Sequence, residues 1–154
     1  MVREARAITR MPLISRSVIL RKSIKSSGAI AQSLEDFMSH IVHMRECIEN
    51  CQECHSACTE TAQHCLQMGG KHAAAGHIRL LLDCAEICQT SADFMLRASA
   101  KHTLTCGACA EICMACAEEC ERVGPDDRMM KRCADICRSC AESCRQMAHM
   151  KAAA

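Results

Sequence analysis

The chain has 154 residues, room for one domain, with 16 Cys, 11 Met and 8 His but no Trp, no Tyr and only two Phe, Phe37 and Phe94. Val, Ile, Leu and Phe together make up about 17 % of the residues, below the level of an ordinary aliphatic core, yet the net charge is only +1, not the strong charge that accompanies disorder. A conventional aromatic-rich enzyme core is excluded, and so is base-stacking recognition of single-stranded nucleic acid, which needs rings this chain lacks.

Residues 1–33 stand apart. They carry seven basic side chains (Arg3, Arg6, Arg10, Arg16, Arg21, Lys22, Lys25) and one acid, Glu4, a net +6, whereas residues 34–154 net −5. The segment reads as a basic N-terminal extension, disordered or a leader, with Met11 or Met38 as later starts. Its longest apolar run, Val18-Ile19-Leu20, is too short for a secretory h-region. No apolar stretch follows Arg21-Lys22, so a twin-arginine signal is missing too, and the expected localisation is cytoplasmic. The chain has no run of about 18 apolar residues, so no membrane span is expected. Residues 34–151 are read as the folded domain.

Within it the cysteines recur in alternating steps of three and four, the spacing that keeps side chains on one face of a helix. The first helix is expected from Ser33, an N-cap residue type, to Met68, where Gly69-Gly70 ends it. It carries Cys47, Cys51, Cys54, Cys58 and Cys65, with Thr61 filling the missing step. The second, over 74–99, carries Cys84 and Cys88, then Ser91 and Met95. After the link Ser99-Ala100-Lys101-His102, the third, over 103–123, carries Cys106, Cys109, Cys113, Cys116 and Cys120. Gly124-Pro125-Asp126 stops it, and Asp126 is the expected cap of a fourth helix, to about residue 150, with Cys133, Cys137, Cys140 and Cys144. Cys84-Ala85-Glu86-Ile87-Cys88, Cys109-Ala110-Glu111-Ile112-Cys113 and Cys133-Ala134-Asp135-Ile136-Cys137 form a weak internal repeat.

Short links make successive helices antiparallel. Four helices with one apolar stripe each give an all-α, antiparallel up-down four-helix bundle whose core is a tube of thiols. Ala85, Ala110, Ala117, Ala134 and Ala141 flank the stripes and permit close approach. Ile87, Ile112 and Ile136 are expected to seal the tube or face a partner subunit. His43, His55, His64, His72 and His149 are expected on the surface or in loops.

One or two buried cysteines would be small hydrophobes; 16 on the stripes of four helices call for another reason. Disulfides between neighbours on one helix are disfavoured, because their Cβ vectors are nearly parallel. Metal binding remains. Four Zn(Cys)4 sites would leave a core charge of about −8, with no Lys or Arg on the stripes to offset it, and buried net charge is costly. One monovalent ion per thiolate is neutral, and soft thiolates and thioethers select Cu(I). At one end of the tube the stripes finish in His40 and Met44, Met95, His102 and Met147. These weaker, exchangeable ligands suit a port for capture and transfer. The other end carries Met68, His77, Met129 and Met130, a possible second port.

Over about residues 40–148 the chain resembles the bacterial copper storage proteins. The resemblance rests on Cys47-x3-Cys51-x2-Cys54-x3-Cys58, Leu82-Asp83-Cys84-Ala85-Glu86-Ile87-Cys88, Cys106-x2-Cys109-x3-Cys113-x2-Cys116-x3-Cys120-Glu121 and Cys133-x3-Cys137-x2-Cys140-x3-Cys144. It implies many Cu(I) ions per bundle, held mainly by Cys, with His or Met at one open end, and it implies homotetramers. The expected function is Cu(I) storage or sequestration without catalysis, in exchange with copper donors and acceptors and with no nucleic-acid partner. The alternatives are a broader Zn, Cd or Ag thiolate buffer and a thiol redox enzyme, for which Cys106, near a helix start, is the one candidate nucleophile.

Overall fold

A computed structural model describes the backbone of residues 14–150 and the side chains of residues 28–150. It contains four helices, α1 (Ile14–Met68), α2 (Ala75–Leu96), α3 (His102–Val123) and α4 (Arg128–His149), and no strand among the described residues. The chain divides into two compact units, Met1–Met38 and Ser39–Ala154. The second holds all the cysteines and is the four-helix bundle.

Helix α1 starts upstream of the expected position. Ser33 is an exposed residue inside it, not its cap. Between Pro12 and Gly69 the sequence has no proline and a single glycine, Gly28, so nothing forces a stop at Ser33. A capping residue type is only a weak signal when good helix formers flank it on both sides. At the other end Gly69 and Gly70 have φ of +71° and +56°, a backbone conformation that suits glycine, and they turn the chain toward α2.

The α2 terminus also differs from expectation, closing at Leu96. Arg97, Ala98 and Ser99 return their N–H groups to the carbonyls of Asp93, Met95 and Phe94. The pattern is a Schellman motif with Ala98 at φ +52° in the left-handed position. At the α3–α4 corner the cap is Asp127, one residue later than expected. Its carboxylate accepts from the N–H groups of Met129 at 2.8 Å and Met130 at 3.1 Å, and it also pairs with His64 at 2.8 Å.

The register is that of antiparallel neighbours. Cys47, early on the bundle part of α1, meets Cys144 near the end of α4, and Cys65, near the end of α1, meets His77 near the start of α2. The five flanking alanines are buried, at most 4 % exposed. Ile87, Ile112 and Ile136 are half-buried and pack on the core. In α2 the core stripe is longer than the cysteines indicate: His77, Leu81, Cys84, Cys88, Ser91 and Met95 are all buried. Leu81 and, near the end of α3, Val123 are the branched aliphatics in a hydrophobic core otherwise made of Cys, Ala and Met.

Candidate metal centre

All 16 thiols are free and buried, none more than 1 % exposed. They stack along the axis in contact with one another. Cys144 of α4 lies 3.5 Å from Cys47 and 3.4 Å from Cys51. Cys88 of α2 meets Cys109, Cys113 and Cys140 at 3.6, 3.5 and 3.8 Å. Cys54 meets Cys84, Cys113 and Cys137 at 4.0, 3.9 and 3.7 Å. Cys58 meets Cys116, Cys133 and Cys137 at 4.0, 3.8 and 3.6 Å. Pairs one turn apart on one helix, Cys54 with Cys58, Cys109 with Cys113 and Cys133 with Cys137, approach within 3.7 to 4.0 Å.

Sets of four sulfurs lying within 4.8 Å of one another recur down the tube. One comprises Cys51, Cys109, Cys140 and Cys144; others are Cys54, Cys84, Cys88 and Cys113, and Cys58, Cys116, Cys133 and Cys137. The sets overlap. Cys54, Cys58, Cys84, Cys88, Cys109, Cys113, Cys137 and Cys140 each belong to more than one. Isolated tetrathiolate sites would divide the sulfurs without sharing, so the overlap suits bridging thiolates between neighbouring ions. No Lys or Arg is buried among the described residues, so no side-chain cation offsets surplus thiolate charge. Cys88 and Cys113 are pushed far above the usual thiol range, first by hydrogen bonding to Cys109 and then by other thiols and burial.

The expected port residues lie at the end formed by the start of α3 and the end of α2, and they are covered rather than open to solvent. Met95, His102 and Met147 are buried and Met44 is half-buried, which corrects the expectation of a mouth that meets solvent. Long thioether side chains are flexible enough to fill the gap around the axis. Cys106 donates its S–H to the Met95 sulfur at 3.8 Å. The His102 Nδ1–H donates to the Ser99 carbonyl at 2.8 Å. A carbonyl only accepts, so this bond fixes the tautomer and leaves Nε2 with its lone pair, buried and without a partner. His40 stacks edge-on against His102 with ring centroids 6.0 Å apart. Burial, then His102 and His43, lower its pKa and favour the neutral ring.

Cys106, the candidate nucleophile, is fully buried. The Cys144 bond pulls its pKa down, but the Cys47 bond and burial outweigh it and push it up to about 12, the reverse of an activated thiol. Of the histidines expected on the surface or in loops, His72 lies in the loop between α1 and α2, and the rest are mixed. His149 is exposed, while His55 is half-buried and donates through Nδ1 to the Ala85 carbonyl at 3.0 Å, tying α1 to α2. His43, His64 and His72 are half-buried too.

The opposite end splits the four residues noted there. Met68 is exposed and Met129 half-buried, whereas His77 and Met130 are buried and both touch Cys65. Which of the four converge depends on the register of three helices, which single-helix spacing does not carry.

A family model described as copper storage protein matches residues 40–149. A crystal structure of a protein from Nitrosospira multiformis is 48 % identical with a TM-score of 0.64, over 69 % of this chain and 94 % of that one. A Cu(I)-bound copper storage protein from Bacillus subtilis is 38 % identical with a TM-score of 0.64, over 69 % of this chain and 98 % of that one. A cytosolic copper storage protein from Streptomyces lividans, carrying five coppers, is 31 % identical with a TM-score of 0.68, over 73 % of this chain and 97 % of that one. An uncharacterised cysteine-rich protein of Bacillus subtilis is 39 % identical over 74 residues, 48 % of this chain and 68 % of that protein.

Proposed function

The chain belongs to the copper storage protein family, and from that premise we propose that it stores Cu(I) along the axis of its bundle. The observation that carries this reading is the run of overlapping four-sulfur sets, fully buried and with no buried cation beside them. Each ion that enters replaces a thiol proton: an S–H bond breaks, the proton leaves to solvent, and an S–Cu bond forms with no change in oxidation state. The charge of the tube stays at zero as it fills, so one site does not oppose the next. Zn(II) filling the same sulfurs would leave uncompensated charge.

The ligands are the 16 cysteines, with Met44, Met95, His102 and Met147 forming the layer through which copper passes. Copper arrives from and leaves to donors and acceptors of the same soft-ligand chemistry. The protein stores rather than turns over: no thiol has the exposure and lowered pKa that redox catalysis needs. The basic segment 1–33 lies outside the storage domain, 34–151. Cytoplasmic placement is supported by the relative from Streptomyces lividans described as cytosolic, and no described helix is long and apolar enough to cross a membrane. Assembly as a homotetramer rests on the resemblance to the family.

Anaerobic titration with Cu(I) against a chromophoric chelator, followed by metal analysis of the separated protein, tests the reading. Uptake on the order of 16 ions per chain, one per thiolate, is expected. Saturation near four ions, or preference for Zn(II) in competition, would replace it with a tetrathiolate buffer.

A further inference from the structure

We propose that the end of the bundle opposite the methionine port carries a separate Cu(I) site with three different donors, the thiolate of Cys65, the imidazole of His77 and the thioether of Met130. The inference rests on the storage reading and goes beyond it, since it assigns His77 and Met130 as ligands and gives the second end a chemistry of its own.

The geometry is built from three helices. Cys65 Sγ of α1 lies 3.5 Å from His77 Nε2 of α2 and donates its S–H to Met130 Sδ of α4 at 3.4 Å. All three side chains are at most 2 % exposed. Most other cysteines of the tube meet cysteine, and Cys106 meets the Met95 thioether; Cys65 has both a nitrogen and a thioether sulfur as partners. One thiolate and one Cu(I) sum to zero charge, so the site obeys the same neutrality as the thiol stack. Two of the three donors are soft sulfurs, which select Cu(I).

The surroundings hold the donors in place. His77 Nδ1 faces the Glu119 carboxylate at 4.0 Å, and it is buried without a hydrogen-bond partner. Arg122 grips Glu119 at 2.6 and 2.8 Å, and that bond, more than burial or His77, determines the lowered pKa of the carboxylate. With its proton on Nδ1, the side of the Glu119 carboxylate, the ring would present the Nε2 lone pair to an ion bound beside Cys65.

Met130 is seated by two features of the α3–α4 corner. Asp127 accepts from its backbone N–H. Gly124 leaves room for it: a Cβ at that position would stand 2.8 Å from Met130 Cγ and 3.1 Å from His72 Cε1. The absence of a side chain at Gly124 thus admits the thioether to Cys65.

The Cys65, His77 and Glu119 arrangement also resembles a nucleophile with its base and orienting acid. Against that use, burial, then Asp127 and Cys133, push the Cys65 pKa up to about 11, and no substrate could reach a thiol that is fully covered. Cu(I) binding breaks the Cys65 S–H bond, releases that proton to solvent and forms the S–Cu bond, with no electron transferred.

The test uses the full chain with 15N-labelled histidine, loaded anaerobically with Cu(I) as its acetonitrile complex. The side-chain nitrogens are followed by long-range 1H–15N correlation, and bound copper is measured in the same samples. The His77 signals are assigned from their loss in His77→Gln. The expected result is a clear upfield shift of His77 Nε2 as copper loads, and a capacity lower by about one ion per chain in His77→Leu/Met130→Leu. An unchanged His77 Nε2 at full loading overturns this site while leaving storage intact. Negligible copper uptake overturns the storage reading itself. If the double variant does not fold, the nitrogen shift of the unaltered chain still decides.

Discussion

Cys54 on α1 and Cys113 on α3 belong to diagonally opposite helices, yet their sulfurs lie 3.9 Å apart. The other diagonal is as tight, with Cys88 of α2 and Cys140 of α4 at 3.8 Å. Contacts of this length across both diagonals leave the tube without a bore. Its axis is filled with touching thiols, and dispersion between polarisable sulfurs does the work that branched aliphatics do in other bundles. Metal–thiolate bonds of about 2.3 Å put two sulfurs on one ion at about 4.0 Å in a trigonal site and about 4.6 Å in a linear one. Sulfurs 3.4 to 4.0 Å apart would therefore need to separate by between nothing and about 1.2 Å on loading. The helices move outward slightly and do not refold.

The metal-free, reduced protein is accordingly expected to be helical already. Far-ultraviolet circular dichroism should show the full helix signal before copper is added, with only a small change at saturation. A coil spectrum that turns helical on loading would mean that metal drives folding, as in small zinc domains.

Stability of the metal-free protein should fall at alkaline pH. Cys65 and Cys106 are raised from the ordinary value near 9 to about 11 and about 12. A raised thiol pKa means that the folded state holds the proton more tightly than the unfolded chain. The associated stability is complete below about pH 9 and is lost as pH rises through 11 to 12. Thermal melts of the apo protein at about pH 7, 8 and 10.5 (roughly the span over which linkage acts) should show Tm nearly constant between the first two and several degrees lower at the third. The copper-loaded protein, which has no thiol protons left to lose, should show no such fall.

Ala98 carries a strain that a single change should relieve. Its φ of +52° closes the Schellman turn after α2 in a region that costs an L-residue roughly 1 kcal/mol. Ala98→Gly should stabilise the apo bundle by about 0.5–1 kcal/mol, the strain relief being partly offset by the added freedom of glycine in the unfolded chain. Chemical denaturation would read this as a higher midpoint at unchanged slope. A lower midpoint would show that the Ala98 methyl contributes more by its contacts than its backbone costs.

Most of this architecture was legible in the cysteines alone. Steps of three and four fix which face of each helix turns inward, and the positions of Gly69-Gly70 and Gly124-Pro125 fix how many helices there are. The misreadings have local causes. Ser33 has the chemistry of a cap but sits in a segment with no breaker nearby, so the helix runs through it. Asp126 and Asp127 are adjacent and equally good caps by type; only the backbone placed by Pro125 selects the second. Leu81 escaped because it interrupts a stripe defined by sulfur, although its spacing to Cys84 and His77 is helical. The convergence of His77 and Met130 on Cys65 was out of reach, because it depends on the relative shift of three helices.

The port is the prediction on which the direction of copper flow turns. Met44, Met95, His102 and Met147 come from all four helices and lie at one end, next to Cys47, Cys106 and Cys144. These side chains are covered, so an ion has to pass between the methionines as they change rotamer, with the unpartnered Nε2 of His102 as a nitrogen donor on the way. Thioether and imidazole bind Cu(I) more weakly than thiolate, and the thiols lie immediately inward, so the gradient of affinity points into the tube. Replacing Met44, Met95 and Met147 with Leu, and His102 with Phe, keeps the layer apolar and close to its original volume. The fold and nearly the full capacity should survive, while stopped-flow loading from a small Cu(I) donor, and removal by an external chelator, should slow by roughly tenfold or more, as expected for about 1.4 kcal/mol or more on the barrier. Unchanged rates in both directions would move the port to the other end, where the Cys65 site would then be the first thiolate that copper meets.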